Sequence, residues 1–304
     1  MKIKTLSIHS YQIPFLRNQT RSGALIHITN EEGNSSWGEI APLPNWSRET
    51  LEDALKQMIG KKQSVLSIDW TTETCFEELR QLNLYPSVIF GLESALLTLL
   101  VPISKYTFPI SALLIGSPRE MIEHANLRLS EGFTSAKLKV GHLTFQQAEE
   151  VIFQLKDKLH LRIDVNRAWE TADALRFFSQ FPRDAFDYVE EPFKNPHELI
   201  QFQHPLAIDE SFPQELSLKQ LEELPMLKAL IYKPTIQGGL LGCLPLHEWA
   251  VKRGVFLVLS SSFESNIGLA HVAAVAYRLS MLCNNERKIP PVGIGTYHYM
   301  QKSL

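Results

Sequence analysis

The chain has 304 residues, of which 44% are hydrophobic and 21% are charged, so it can bury a large core and is not expected to be disordered. Its formal net charge of −3 comes from interspersed acidic and basic residues, which argues against a nucleic-acid partner. The longest apolar run, "ESALLTLLVPI", is too short to cross a bilayer, and the first residues lack the apolar core of a signal peptide.

The three cysteines, Cys75, Cys243 and Cys283, lie far apart and form no CxxC pair. This spacing is unlike a disulfide framework and fits a reducing compartment. We therefore expect a cytoplasmic protein with no membrane partner. Both a monomer and a homo-oligomer agree with the composition.

The first part of the chain predicts three β-strands, two of them joined by a hairpin turn. The hairpin turn is "EEGN", which separates the second strand from the third. The strands are "IKTLSIHSYQI", "GALIHITN" and "SSWGEIA".

Helical patterns follow these strands. Ser47 is a candidate cap for a first helix that ends at Gly60, because Ser and Gly favour the two ends of helices. The segment "TTETCFEELRQL" predicts a second helix, and Pro86 opens a third in its first turn. We predict an α+β domain over residues 1–106.

From Phe108 onward, short apolar strands alternate with amphipathic helical segments. The predicted strands are "PISALLIG", "SAKLKVG", "HLRIDVN", "YVEEP", "LAIDES", "ALIYKPT", "VFLVLSSS" and "PVGIG". Eight such units predict an α/β fold, a modified (β/α) barrel of the TIM type over residues 107–304 with a short C-terminal tail. An open, doubly wound sheet is the alternative, although "LLIGSPRE" lacks the GxGxxG turn of a dinucleotide-binding fold.

Two lysines lie on one face of the second predicted barrel strand. Successive strand residues point to opposite faces, so Lys137 and Lys139 share a face that cannot pack in a dry core. Taken alone, this pattern is more typical of an exposed edge strand, where lysine deters pairing with another chain. The ends of the other strands decide between the two interpretations.

Polar side chains also occur at the ends of the next five predicted strands, and not at their starts. They are Arg162, Asp164 and Asn166 on the third strand, Glu190 or Glu191 on the fourth, Asp209 and then Glu210 on the fifth, Lys233 on the sixth, and Ser260, Ser261 and Ser262 on the seventh. Catalytic groups of such barrels collect at the mouth that the C-terminal strand ends form. We therefore expect these residues and the two lysines to share one site.

The residue types predict a divalent cation and a proton transfer. Carboxylate oxygens without His or Cys suit Mg²⁺, with Mn²⁺ as a substitute, and without a cation the clustered carboxylates would raise one another's pKa. Lysines on the second and sixth strands lie on opposite sides of the barrel. Beside a cation, such a lysine should have a depressed pKa and act as a base near neutral pH. This set favours removal of a proton next to a carboxylate of a small-molecule substrate.

The motifs that carry these residues resemble the enolase superfamily, and most closely its o-succinylbenzoate synthase family. The matching segments, which extend over nearly the whole chain, are "RSGALIHI", "WGEIAPLPNWSRET", "GLESALLTL", "AKLKVG", "LRIDVNRAW", "VEEP", "AIDES", "IYKPTIQGG" and "SSSFESNIGLAH". The resemblance implies a capping domain over a modified barrel. It also implies the Mg²⁺-dependent dehydration of 2-succinyl-6-hydroxy-2,4-cyclohexadiene-1-carboxylate to o-succinylbenzoate, a step of menaquinone synthesis.

By this resemblance, the three lysines have separate roles. Lys139 is the general base, and it returns its proton to the departing hydroxyl in a syn elimination. Lys137 neutralises nearby carboxylate charge. Lys233 faces Lys139 and stabilises the intermediate through its charge or a cation–π contact.

The resemblance also implies the metal ligands, which are Asp164, Glu190 and Asp209. It selects Glu190 over Glu191 and Asp209 over Glu210, a choice that the residues alone leave open.

Substrate contacts are expected from five further residues. Arg162 and Asn166 resemble a supporting shell, and the amides and hydroxyls around Ser261 and Ser262 are candidates to receive a substrate carboxylate. The loop at residues 18–23, which contains Arg21, resembles the mobile cap loop that closes over substrate in this family.

The sequence departs from the family pattern on the eighth strand, and one turn has two interpretations. Gly295 in "VGIGT" stands where the family usually carries an Asp on the eighth strand. The turn "QGGLLG" after Lys233 suits either a phosphate cradle or a tight strand-to-helix turn.

The sequence also suggests alternatives to the dehydration. An N-succinylamino-acid racemase or a dipeptide epimerase of the same superfamily would use the same two lysines. The Asp-x-Asp of dipeptide epimerases is absent from "GIGTYHY", which counts against that branch. A non-catalytic barrel that binds a metabolite is the third alternative.

Overall fold

The computed structural model describes residues 1–15, 19–101, 107–282, 290–300 and 304. The predicted domain boundary, between residues 106 and 107, falls at the edge of 102–106, which lie outside the described residues, as does Cys283.

The N-terminal domain contains an antiparallel sheet that has three strands in the order β1-β2-β3 over the described residues. Its strands are β1 (Ile3–Phe15), β2 (Gln19–Asn30) and β3 (Ser35–Ile40). Alternate apolar residues bury one face of the sheet, and Ile26, Ile28 and Ile40 are fully buried there. The structure therefore contains the three predicted strands and the turn that joins β2 to β3.

Three helices cover this sheet, and the first differs from its prediction at both ends. The helices are α1 (Leu51–Ser67), α2 (Cys75–Gln81) and α3 (Pro86–Leu100). Helix α1 is capped by Thr50 in a capping box with Asp53, whereas the Ser47 hydroxyl accepts a hydrogen bond from the Leu43 amide at 2.9 Å. The helix also continues through Gly60, since an exposed glycine costs only about 1 kcal/mol in a helix.

The second sheet is parallel and has eight strands in the described part of the chain. The strands are β4 (Ile110–Leu114), β5 (Ser135–Lys139), β6 (His160–Asp164), β7 (Tyr188–Glu190), β8 (Leu206–Ile208), β9 (Leu227–Tyr232), β10 (Phe256–Leu259) and β11 (Val292–Gly295). Neighbours follow chain order except that β11 pairs with β4. A bridge between Ser260 and Gly293 joins β10 to β11 and closes the barrel. The predicted barrel is confirmed, and the open sheet is wrong.

Helices surround the barrel on its outside. They are α4 (Pro118–Ser130), α5 (Phe145–Leu155), α6 (Thr171–Phe178), α7 (Leu218–Glu222), α8 (Pro234–Gln237), α9 (Leu244–Arg253) and α10 (Asn266–Leu282). After β7, a 3₁₀ segment at Pro196–Gln201 takes the place of an α-helix. No helix in the described ranges combines the length and apolar character that a bilayer crossing requires.

Strand β6 shows how the alternation of side chains builds the interior. Leu161 and Ile163 are buried in the core between strands and helices, together with Phe177. Arg162 and Asp164 have the opposite parity and therefore point into the barrel, where both are also buried.

A buried carboxylate of the N-terminal domain, Glu39 on β3, binds the start of barrel helix α10. Glu39 accepts hydrogen bonds from the Ser265 amide at 2.9 Å and the Gly268 amide at 2.8 Å, and from the hydroxyls of Ser265 and Tyr11. The first amides of a helix have no partner within the helix, so the carboxylate satisfies them.

A second buried carboxylate, Glu93 on α3, binds the turn that follows β9. It accepts hydrogen bonds from the amides of Leu240 and Leu241, the latter at 2.9 Å. The amides of the turn "QGGLLG" therefore bind a carboxyl group, but one that belongs to the protein itself. Together, Glu39 and Glu93 fasten the cap to two barrel loops.

The first testable prediction concerns Gly295 at the end of β11. A Cβ there would lie 2.4 Å from the Ser111 carbonyl oxygen and 3.2 Å from the Cα of Ala112, both backbone atoms of β4. We expect Gly295→Ala to lower the free energy of unfolding by about 1–3 kcal/mol through overpacking, as measured by urea titration.

Gly60 provides the matched control, because no atom lies within 4 Å of a Cβ added there. Gly60→Ala should raise the free energy of unfolding by about 0.5–1 kcal/mol. Equal stability of Gly295→Ala and the wild type would contradict the described packing of β11 on β4.

The second prediction uses the pH dependence of stability. Burial raises the pKa of Glu93 to about 8, against the opposing effect of the Leu241 and Leu240 amides. The folded state therefore holds this proton more tightly than the unfolded chain. The Glu93 contribution is complete below the ordinary glutamate pKa and is lost as the pH rises through about 8.

Between these two pKa values, the free energy of unfolding should fall by up to roughly 1.4 kcal/mol per pH unit because of Glu93. Glu93→Gln should remove this part of the pH dependence. The measurement is the free energy of unfolding between pH 5 and pH 8 in both proteins. Identical pH slopes would show that Glu93 does not titrate in this window.

Candidate active site

The C-terminal ends of the barrel strands surround a cavity of about 170 Å³. Its wall includes Lys137, Lys139 and Lys233 from the strands, and Leu43 and Trp46 from the cap domain lie over it. The lysine pair of β5 therefore faces the interior of the barrel, and the exposed-edge interpretation is wrong.

Lys137 connects two of the predicted metal ligands. Its ammonium nitrogen lies 2.8 Å from Asp164 Oδ2 and 2.6 Å from Glu190 Oε1. Burial alone would lower the pKa of Lys137, but the charges of Asp164 and Glu190 outweigh it and raise that pKa well above its usual value. The Lys137 side chain therefore stays charged beside these two carboxylates.

Lys139 lies beside the same aspartate. Its ammonium nitrogen is 3.1 Å from Asp164 Oδ2 and donates a hydrogen bond to Asn166 Oδ1 at 2.7 Å. Asn166 has a φ of 48°, in the left-handed region that Asn tolerates, and its amide donates to Asp164 Oδ1 at 3.0 Å. The turn after β6 therefore places the side-chain oxygen of Asn166 next to Lys139.

Lys233 forms an ion pair with Asp209, and its ammonium nitrogen lies 5.2 Å from the centre of the Trp46 ring. Burial lowers the pKa of Lys233, but the charge of Asp209 opposes this effect, and the pKa is raised overall. The sequence predicted a depressed pKa for a lysine beside a cation. Without a cation, the neighbouring carboxylates raise the pKa of Lys233 instead.

Four carboxylates gather at the mouth. Oxygens of Glu190, Asp209 and Glu210 lie within 4.8 Å of one another, and Lys137 connects Asp164 to Glu190. The resemblance selects Asp209 over Glu210 as a ligand, but the structure brings both residues to the group. Oε2 of Glu190 and Oε2 of Glu210 are buried without a hydrogen-bond partner among the described residues.

The electrostatics of this group fit a cation. Burial and the charges of Asp164 and Asp209 raise the pKa of Glu190 well above its usual value. Oxygen donors that are close together, buried and incompletely paired are the ligand set of a hard divalent ion. These residues could therefore bind such a metal.

The second glutamate of "VEEP" has a different task. Glu191 Oε1 accepts hydrogen bonds from the amides of Asp209 and Ser211, both at 2.9 Å, and Oε2 accepts from the Ser211 hydroxyl at 2.6 Å. Burial and the charge of Glu210 raise the pKa of Glu191 to about 7. Glu191 therefore shapes the loop that carries Asp209.

The two predicted arginines lie in different places. Arg162 lines the cavity, donates to the Pro291 carbonyl at 2.7 Å and lies 5.0 Å from the centre of the Tyr188 ring. Arg21 does not line it. Its guanidinium donates to five backbone carbonyls, those of Ser22, Ala41, Pro42, Ser262 and Phe263.

Arg21 thus joins the cap to the loop after β10. Residues 19–23 of the predicted loop form the start of β2, which is a correction, and residue 18 lies outside the described residues. The pairing of β1 with β2 continues to Phe15 and Gln19.

Ser261 and Ser262 line the cavity, but their amides have partners within the protein. The Ser261 amide donates to the Gly293 carbonyl at 3.0 Å, and the Ser262 amide donates to Glu264 Oε2 at 2.7 Å. The Ser261 hydroxyl pairs with that of Thr296 at 2.6 Å. The Ser262 hydroxyl is buried without a partner among the described residues, and Ser262 lines the cavity.

Comparison with known proteins agrees with the motifs. The family model described as "Enolase C-terminal domain-like" matches residues 120–294, and the model described as "MenC, N-terminal domain" matches residues 3–99. The o-succinylbenzoate synthase of Pasteurella multocida is 30% identical over 295 residues, which covers 90% of this chain and 86% of that protein. The o-succinylbenzoate synthase of Vibrio cholerae is 33% identical over 294 residues, which covers 90% and 85%.

Solved structures show the same fold. The L-Ala-D/L-Glu epimerase from Bacillus subtilis superposes with a TM-score of 0.84 at 18% identity, covering 100% of this chain and 92% of that one. The N-succinyl Arg/Lys racemase from Bacillus cereus superposes with a TM-score of 0.81 at 19% identity, covering 100% and 89%. This chain belongs to the o-succinylbenzoate synthase family of the enolase superfamily.

Proposed function

We propose that this chain, like the relatives named o-succinylbenzoate synthase, is a carbon–oxygen lyase that dehydrates 2-succinyl-6-hydroxy-2,4-cyclohexadiene-1-carboxylate to o-succinylbenzoate. The observation that carries the proposal is the cavity wall, where amines of Lys139 and Lys233 flank a group of carboxylates. Menaquinone synthesis is the pathway that this reaction implies, and the cytoplasm is the proposed location.

Mg²⁺ is the proposed cofactor, held by Glu190 and Asp209 together with Asp164 or Glu210. The resemblance favours Asp164, whereas the distances between oxygens favour Glu210. When bound, the cation supplies positive charge next to the substrate carboxylate and makes the neighbouring C–H more acidic.

The chain's own residues move the proton. Lys139 acts as the base after its ammonium group has lost a proton to solvent, and it then takes the proton from the ring carbon that bears the carboxylate. The electron pair of that C–H bond first moves onto the substrate carboxylate and gives an enediolate intermediate; it then forms the new ring double bond as the C–O bond breaks. Lys139 then gives the same proton to the departing hydroxyl, so water leaves and the amine is restored.

The other lysines stabilise charge. The Lys233 ammonium, on the opposite side of the barrel, faces the negative charge that develops on the intermediate. The positive charge of Lys137 offsets the negative charge of Asp164 and Glu190 throughout the reaction. Trp46 and Leu43 of the cap lie over the cavity and limit access of water.

The third prediction tests the reaction itself. Purified protein with Mg²⁺ and the cyclohexadiene substrate should generate the absorbance of the aromatic product. Lys139→Ala should lower kcat by about 10²–10⁴-fold, the usual contribution of a general base. Its melting temperature should remain within a few degrees of the wild type.

Two results would contradict the proposal. Absence of turnover by a wild-type protein that binds Mg²⁺ would exclude the dehydration. Incorporation of solvent deuterium at the α-carbon of an N-succinylamino acid, without dehydration, would favour the racemase instead, since a lysine on each side of the cavity also suits a 1,1-proton transfer.

The fourth prediction concerns the metal. At a Mg²⁺ concentration of about 100 Kd, the free energy of unfolding should rise by about 2.7 kcal/mol, because the cation binds the folded state alone. Asp209→Asn should abolish most of this rise. Lys139→Ala is the matched control and should retain it, so equal Mg²⁺ responses in wild type and Asp209→Asn would exclude Asp209 as a ligand.

A further inference from the structure

Glu264 is a fully buried carboxylate that lies just behind the cavity wall. It follows Ser262 and Phe263, which line the cavity, but is not itself part of the lining. The proposed reaction assigns it no task. Burying a carboxylate is costly unless its oxygens are well paired, so its partners indicate what it does.

Each carboxylate oxygen of Glu264 holds a different barrel loop. Oε1 accepts a hydrogen bond from the hydroxyl of Thr235, in the helix that follows β9. Oε2 accepts from the amide of Ser262, in the loop that follows β10, at 2.7 Å. The side chain thus connects the ends of two neighbouring strands.

The first of these contacts acts next to Lys233. Lys233 is the N-cap residue of α8, and its amide donates to Gln237 Oε1 at 2.7 Å. Thr235 lies in the first turn of this helix. Fixing the Thr235 side chain therefore fixes the backbone from which the Lys233 side chain extends.

The second contact acts on Ser262. Because the Ser262 amide is bound by Glu264, its direction is fixed, and the Ser262 hydroxyl is left without a partner among the described residues on the wall of the cavity. A carboxylate suits this double task, since it offers two acceptors and no donor to an amide and a hydroxyl.

We propose that Glu264 is a positioning residue of the active site, which holds the Lys233 ammonium and the Ser262 hydroxyl at a fixed separation on the cavity wall. The inference rests on the proposed function, because both groups are expected to meet the same substrate. Glu264 touches neither substrate nor metal, and it acts through Thr235 on one side and through Ser262 on the other.

Four variants distinguish a positioning role of Glu264 from a role in the stability of the fold alone. Glu264→Leu removes both contacts at similar volume. In Glu264→Gln, the amide oxygen can accept from Ser262 while the amide group donates to a reversed Thr235 hydroxyl, so both contacts persist. Thr235→Val removes only the Lys233 side, and Thr235→Ser is its matched control because it keeps the hydroxyl.

The measurements are kcat, KM and the Kd for o-succinylbenzoate of each variant. Thr235→Val should lower kcat by roughly 10–100-fold, the scale of a misplaced catalytic group, and leave the product Kd close to the wild-type value. Glu264→Leu should lower kcat similarly and also weaken product binding by about tenfold, since Ser262 is released as well. Glu264→Gln and Thr235→Ser should stay near the wild type.

Melting temperatures and Mg²⁺ binding report whether each variant is folded. If Glu264→Leu does not fold, the pair Thr235→Val and Thr235→Ser decides alone. A folded Thr235→Val with unchanged kcat would overturn the inference, and so would a folded Glu264→Gln that is as impaired as Glu264→Leu. Both outcomes leave wild-type turnover and the proposed function intact. A wild-type protein without turnover would instead overturn the proposed function, and with it this inference.

Discussion

The charge balance inside the barrel depends on the Lys137 ammonium, which contacts Asp164 and Glu190 at once. Parallel strands in register place every second side chain in the same interior, so carboxylates from successive strand ends must lie close together. Burial and the mutual repulsion of these carboxylates raise the pKa of Glu190 well above its usual value, and the charge of Lys137 opposes that rise. The lysines lower the pKa of Asp164 despite its burial, which keeps it ionised for its neighbours.

A second set of carboxylates fixes the surroundings of this centre. Glu39 and Glu93 reach from the cap to backbone amides of two barrel loops, and Glu264 connects the same two loops within the barrel. These loops carry Lys233 and Ser262. The groups that face the substrate are thus attached to rigid elements on several sides, which is what precise placement of catalytic groups requires.

The barrel could be predicted from sequence because its signals are local. Apolar strands of period two and polar residues at their ends identified every barrel strand and brought Lys137, Lys139 and Asp164 to one mouth. Helix α1 was misjudged at Ser47 and Gly60, because weak local preferences yield to a better capping box and to packing. The role of Arg21 in joining backbone carbonyls was missed, since it depends on how two distant segments meet.

The carboxylates that join cap to barrel carried a weaker signal. Glu93 stands in a strongly apolar helical run, and a glutamate in such a run is buried only with a partner. The sequence shows that a partner is needed, but its identity depends on the docking of the cap. The same holds for Trp46, whose contact with Lys233 arises only when the cap lies over the mouth.

The most direct test of this account is a crystal structure with o-succinylbenzoate and Mg²⁺. We expect the product to lie between the amines of Lys139 and Lys233, with the Lys139 nitrogen within roughly 3–4 Å of the ring carbon that bears the carboxylate. Mg²⁺ should be bound by Glu190 and Asp209 and by one of the product's carboxylate oxygens. A product bound outside the ring of strand ends, or a metal that contacts neither of these carboxylates, would contradict the account.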